Sequence, residues 1–352
     1  MILRGGIIGA GNVALRGHVP AWLACKQIVL TCAADTQLES RAELDRVLPG
    51  RTWYESAEAL LASEPLDFVD ICTPPAAHGD AIRSALRRGV HVLCEKPLVL
   101  DSGEMEELRG LAESRRLVLA AVHNWRNAPV LAAATALVRD GAIGSVRRCR
   151  WEVLREGPSA AVQTGSLLNW RLDPAMSGGG ILVDHGWHAA YVVSDWISGA
   201  LRAVAACLET RKHREWPVED TANVLLEFEG GEANLFLSWA AGERRNRAEI
   251  EGTRGRIRID GGGLELESDG PGSLCRREFA ESLSDGSHHP GWFQGVAAGF
   301  LDAIASPGRS SPSAAEAAMC LEAILLAQES SRRGGQRVPT RAAVARTVGT
   351  FR

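Results

Sequence analysis

The feature that most constrains this chain of 352 residues lies at its start, where the apolar run Leu3–Ile8 passes directly into Gly9-Ala10-Gly11-Asn12-Val13-Ala14. The spacing is GxGxxA. Between a strand and a helix, the first glycine permits a tight turn and the second lets a ligand approach the backbone. The free N–H groups of the helix start then face a pyrophosphate. Gly9, Gly11, Asn12 and Val13 are therefore candidate dinucleotide-binding residues. Asp35 follows the next apolar run, Ile28–Ala34, and stands 24 positions after Gly11, near the roughly 20 at which an acid meets the ribose 2′-hydroxyl. A carboxylate there repels a 2′-phosphate, so NAD is expected in preference to NADP, with Arg41 the neighbouring residue that argues the other way.

Three further apolar, β-branched runs follow, Phe68–Cys72, Val90–Cys94 and Leu117–Val122, of the kind buried on both faces of a parallel sheet. Helical patterns separate them: Ala77–Leu86, stopped by Gly89, and Ser102–Glu113, opened by Asp101 and Glu104 as a capping box. This predicts an α/β, doubly wound parallel sheet over 1–123. From Val146 the pattern changes to period two. Val224, Leu226 and Phe228, the turn Gly230-Gly231, then Ala233, Leu235, Leu237 and Trp239 read as a hairpin. Short strands at Ala248–Glu251, Arg256–Ile259 and Leu264–Glu267 and helices at Ile181–Trp196, Trp292–Ile304 and Ala314–Ser331 complete an α+β domain over 124–340 with a large, mainly antiparallel open sheet. Apolar residues around Trp239 are expected to leave part of that sheet uncovered. Ser306–Ser313 reads as a loop, and 341–352 as a peripheral tail.

Composition narrows the partners. A net charge of −4 supplies no basic field for nucleic acid or anionic lipid, so a small molecule is the expected ligand. The eight cysteines form no CxxC pair and sit mostly in apolar runs, as buried thiols of a reducing compartment do. Apolar runs stay short of the roughly 20 residues of a membrane span, and the glycine-interrupted start lacks a signal-peptide layout. A cytoplasmic protein is expected.

Two loops follow the carboxyl ends of strands, where open α/β sheets bind ligands. One carries Thr73, Pro74 and His78, the other Glu95 and Lys96. Of 39 basic side chains only Lys26, Lys96 and Lys212 are lysines. A lysine at a strand end in so arginine-rich a chain points to work that a compact ammonium does better than a guanidinium. A third constellation is Gly178-Gly179-Gly180 followed by Asp184, His185 and His188. On a helix, Asp184 and His188 share one face; a histidine oriented by a carboxylate takes a hydroxyl proton near neutral pH. The glycine run is read as room for another molecule to approach. His288 and His289 precede a late helix, but no spacing of metal ligands such as HExxH occurs, so no metal is expected.

The segment CTPPAAHGDAIRSALRRGVHVLCEKPL at 72–98 resembles the signature region of the glucose-fructose oxidoreductase, inositol dehydrogenase and rhizopine-catabolism (Gfo/Idh/MocA) family. GGIIGAGNVA (5–14), HNWRNAPVLAAATALVRDGAIGSV (123–146), NWRLDPAMSGGGILVDHGWH (169–188) and IEGTRGRIRID (250–260) fall in family order over nearly the whole chain. The resemblance implies an N-terminal Rossmann domain and a C-terminal domain whose sheet forms a homodimer or homotetramer. It also implies hydride transfer between NAD(P) and a carbinol or keto carbon of a sugar, cyclitol or derivative. By motif, Lys96 touches substrate and nicotinamide ribose, Asp184 orients, and His188 is the acid/base. Asn124, Trp170 and Arg171 are placed near the cofactor, and Trp125, Arg126, His185 and His288 are candidates to line the substrate pocket. Trp125-Arg126-Asn127 departs from the aromatic-Arg-Phe run common in the family, and the chain has only two tyrosines, Tyr54 and Tyr191. The substrate is therefore left open. A redox-neutral epimerase or glycosidase retaining NAD, and a non-catalytic NAD or sugar sensor, are the rival readings.

Overall fold

A computed structural model describes residues 2–159, 169–269, 274–306 and 312–349; the middle of the expected Ser306–Ser313 loop and the last three residues of the tail lie outside them. The chain forms two compact units. The first comprises Met1–Asn127, Ser159–Gly178 and Gly286–Ala318, the second Ala128–Pro158, Gly179–Asp285 and Met319–Arg352.

The first unit is built on six parallel strands, β1 (Leu3–Ile8), β2 (Ile28–Ala34), β3 (Thr52–Tyr54), β4 (Phe68–Ile71), β5 (His91–Cys94) and β6 (Leu119–Ala121), in the order β3-β2-β1-β4-β5-β6. The order reverses at β1/β4, which opens a ligand crevice beyond the carboxyl ends of these strands. Asp101 caps the helix Ser102–Ser114 by accepting from Glu104 N–H at 2.9 Å, as the capping box requires. The core joins Ile7, Leu30 and Phe68 to Trp22 and to Phe293, Phe300 and Leu301 of the helix Pro290–Ala305. Trp22, Phe68, Phe293 and Phe300 pack edge to face, with Trp22 and Phe68 tilted at 42°, at centroid distances of 5.0 to 6.5 Å, spacings typical of favourable aromatic pairs.

The second unit carries nine strands: β7 (Val146–Leu154), β8 (Leu201–Glu209), β9 (Thr221–Phe228), β10 (Glu232–Ser238), β11 (Arg245–Gly252), β12 (Gly255–Asp260), β13 (Gly263–Ser268), β14 (Leu274–Glu278) and β15 (Val338–Pro339). Their order is β14-β13-β12-β11-β7-β10-β9-β8-β15, and only β7 and β10 pair in parallel. The predicted hairpin is β9–β10, closed where Phe228 N–H donates to Gly231 O at 2.8 Å.

The two faces of this sheet correct one expectation. Trp239, with Ala233, Leu235 and Leu237, is fully or almost fully buried. The uncovered face belongs to the alternate residues, where Asn223, Leu225, Asn234, Phe236, Arg150 and Arg258 line a concavity of about 700 Å³. Period two fixes which residues share a face but not which face the helices cover. The cysteines are all free, but Cys207 on β8 is exposed, and only Cys32, Cys94, Cys149 and Cys320 are buried. No helix among the described residues is long and apolar enough to cross a membrane. The tail begins with a helix, Arg341–Gly349.

Candidate active site

The carboxyl edge of the parallel sheet gathers most of the residues singled out for the cofactor. Gly9 has φ +93°, and a Cβ there would stand 2.7 Å from the Cys72 carbonyl carbon and Thr73 N. Only glycine fits this turn. At Gly11 a Cβ would meet nothing within 4 Å, which leaves that side of the loop open. Asp35, at the exit of β2, accepts from Ala10 N–H at 2.7 Å through Oδ2 and from Gln37 N–H at 2.8 Å through Oδ1. The acid thus braces the glycine loop. Thr73 at the exit of β4 and Asn124 after β6 each hold a buried side-chain oxygen, Oγ1 and Oδ1, with no hydrogen-bond partner among the described residues.

His78 works differently from its neighbours. It is fully buried, with Nδ1 2.8 Å from Pro97 O and Nε2 2.7 Å from Thr73 O. Burial lowers its pKa while the two carbonyls pull the other way. The ring therefore ties the Thr73 loop to the Lys96-Pro97 loop from beneath.

Behind these loops, His18 stands within hydrogen-bond distance of Asp70, Glu95 and Cys72. His18, Asp70 and Cys72 bring ligand-type atoms within 4.8 Å of one another, a set that could hold an ion, and the bonds they make among themselves already account for the grouping. Burial pushes the Cys72 thiol up to about 12. At the exit of β6, His123 Nδ1 lies 2.5 Å from Glu316, which also pairs with Arg126. Trp125 is buried beside it. In the Asn169-Trp170-Arg171 turn, the Arg171 guanidinium lies 4.2 Å from the centroid of the Trp170 ring. His288 is half-buried; burial first, then Arg16 and Arg171, lower its pKa.

In the second unit the helix read over Ile181–Trp196 begins with a π turn, Leu182–Gly186, and continues as an α-helix, Trp187–Trp196. The wider i→i+5 turn changes how neighbouring side chains stack and is common at functional sites. Asp184 Oδ2 lies 3.3 Å from His185 Nδ1, and His188 Nδ1 shares a hydrogen bond of 2.9 Å with the Tyr191 hydroxyl. The glycine run before the turn makes room for the chain itself: Gly180 N–H and Leu182 N–H donate to Glu219 Oε1 at 2.9 and 3.0 Å. Arg155, at the exit of β7, is 3% exposed. Burial, with Arg244 nearby, pulls its pKa down to about 9, and the Asp184 carboxylate acts in the opposite direction.

Sequence reading missed His18, Arg155, Glu219 and Glu316. His18 falls seven positions after Gly11, a spacing within the signature helix that could have drawn attention; the others carry no local signal.

Residues 3–123 match the family described as oxidoreductases with an NAD-binding Rossmann fold, and residues 131–258 match the GFO/IDH/MocA C-terminal domain. The chain belongs to the Gfo/Idh/MocA family. It is an oxidoreductase with an NAD-binding domain, and its loops suit that group. The open side at Gly11 and the unpartnered oxygens of Thr73 and Asn124 lie along the edge where a dinucleotide would rest. Among similar members of the family, a dTDP-3,4-didehydro-2,6-dideoxy-alpha-D-glucose 3-reductase of Streptomyces antibioticus is 30% identical over 288 residues, 80% of this chain and 83% of the relative. A D-xylose 1-dehydrogenase (NADP(+)) of Haloferax volcanii is 29% identical, over 64% of this chain and 66% of its own. Among solved structures, GenD2 from gentamicin A biosynthesis, in complex with NAD, matches at TM-score 0.82 and 26% identity over 97% of each chain.

Proposed function

We propose that this Gfo/Idh/MocA protein oxidises or reduces one carbinol or keto carbon of a sugar, cyclitol or derivative, with NAD preferred to NADP. The observation that carries the reading is Lys96, placed at the exit of β5 on the same sheet edge as the glycine loop, Asp35, Thr73 and Asn124. The relatives support the substrate class, since one acts on a nucleotide-linked keto sugar and another on D-xylose. Residues 1–123 serve the dinucleotide, and 124–340 serve the substrate and self-association through the uncovered sheet face. The free thiols agree with a cytoplasmic setting.

Bound NAD supplies the hydride acceptor at the nicotinamide. Gly9, Gly11, Asn12 and Val13 cradle the pyrophosphate, and Asp35 takes the ribose hydroxyls. Lys96 hydrogen-bonds the reacting oxygen and stabilises the negative charge that develops on it. His188 takes the hydroxyl proton during oxidation and returns it during reduction, its ring held by Tyr191. Asp184 is the orienting carboxylate, its Oδ2 3.3 Å from His185 Nδ1. Trp125, Arg126, His185 and His288 line the substrate.

A screen of free, nucleotide-linked and anhydro sugars, inositols and sugar acids, read by NADH absorbance, tests the reading. A substrate class giving turnover that Lys96→Ala abolishes supports it. Substrate conversion seen by chromatography with no added NAD and no net NADH assigns the redox-neutral rival, and NAD binding without NADH formation or substrate conversion on any class assigns the sensor.

A further inference from the structure

We propose that His18 is a positioning residue: a buried ring that fixes the Glu95 carboxylate and, through it, the main chain of Lys96. His18 ends the π turn Ala14–His18 that follows the glycine loop, and its side chain is 3% exposed. Its Nδ1 lies 2.9 and 3.2 Å from the two Asp70 oxygens, and its Nε2 lies 3.1 Å from Glu95 Oε1. The second Glu95 oxygen accepts the Lys96 N–H at 3.0 Å. Trp22 Nε1 donates to Asp70 Oδ2 at 2.7 Å, and Phe293 stacks on the imidazole at 3.8 Å.

An imidazole flanked by two carboxylates donates to both only when both nitrogens carry protons. A neutral ring would aim a lone pair at one of them. The titratable groups facing the ring are Asp70 and Cys72 from β4 and its exit, and Glu95 from the exit of β5. Burial opposes the charge, but the Asp70 carboxylate outweighs it and holds the ring well above the ordinary histidine value. The same contact works on Glu95, which burial alone would raise and which His18 and Lys96 hold low. Glu95 is thereby committed to the ring and to a main-chain N–H, which sets the direction in which the chain leaves β5 and presents Lys96. The line Trp22–Asp70–His18–Glu95–Lys96 ties the first helix to the strand exit that the proposed chemistry uses.

This proposal rests on the role given to Lys96, but its first test does not require turnover. Because Lys26, Lys96 and Lys212 are the only lysines, 15N-lysine labelling reduces the amide spectrum to three signals. His18→Gln and Glu95→Gln are expected to move the Lys96 signal and leave Lys212 in place. An unmoved Lys96 signal in folded His18→Gln overturns the proposal. Should His18→Gln not fold, Asp70→Asn serves: removing the carboxylate that raises the ring makes the Lys96 signal titrate at lower pH than in the native protein. A flat signal in that variant also overturns the proposal. With a substrate from the screen, His18→Gln is expected to lower kcat about tenfold or more, as small misplacements of reacting groups do, while the KM for NAD stays near native. A purely structural ring would lower thermal stability without moving either the Lys96 signal or this split. If the signal moves and kcat holds, the linkage stands and the assignment of Lys96 to the chemistry fails.

Discussion

The main-chain oxygen of Glu219 lies 1.9 Å from where a Cβ on Gly180 would stand, so the strand entering β9 packs directly on the turn that carries Asp184. Gly180→Ala is expected to destabilise the fold by about 1–3 kcal/mol, the usual cost of forcing extra volume into a packed site. Gly11→Ala, with open space around it, should keep the native melting temperature yet lose NADH affinity. Calorimetry and NADH fluorescence titration on both variants check the contrast; equal melting temperatures would refute it.

Asp35 accepts from Ala10 N–H and stands where the adenosine ribose is expected. NAD should bind tighter than NADP, and Asp35→Ser should narrow the gap while weakening NAD by about tenfold, on the scale of one hydrogen bond to a charged group. Direct titration of both cofactors decides. Tighter NADP binding by the native protein would contradict the assignment.

Lys96 and His188 should fail in different ways. His188→Ala should slow the chemical step by roughly 10²–10⁴-fold, the range for a positioned acid/base, with NAD binding near native. Lys96→Ala should lose turnover and also weaken NAD, and Lys96→Arg should not restore it, because a planar fork cannot replace a compact ammonium. Near-native turnover by His188→Ala across pH 6 to 9 would move the proton-transfer role to Asp184 or His185.

The His18–Asp70 contact should make stability depend on pH. The folded-state value of the ring lies above its ordinary 6.5, so its contribution is complete below that value and is lost as pH rises through the higher folded-state one. The melting-temperature difference between the native protein and Asp70→Asn should therefore be greatest near pH 6 and shrink toward pH 10. A difference that stays constant over that range would show that the ring does not titrate as described.

Phe236 and Leu225 lie half-buried on the uncovered sheet face, and apolar residues so placed commonly mark an interface. Phe236→Arg should shift sedimentation toward monomer at micromolar concentration. A native protein that is monomeric under the same conditions would remove this face from the proposal.

By itself the sequence determined five of the six parallel strands, all but the short β3, together with the glycine turn, the loops at the exits of β4 and β5 and the hairpin β9–β10. Each is encoded locally, by apolar runs, by spacing or by turn residues. It also supplied Lys96, because a rare lysine stands out among arginines. Only tertiary structure decided that the helix of Asp184 opens as a π turn, that its glycines admit Glu219, and that the Trp239 face is the covered one. His18 is the sharpest case, since its partners Asp70 and Glu95 stand 52 and 77 residues away. Contacts at such separations leave no periodic trace in a chain, and a buried ring takes its charge from whichever carboxylates the packing brings to it.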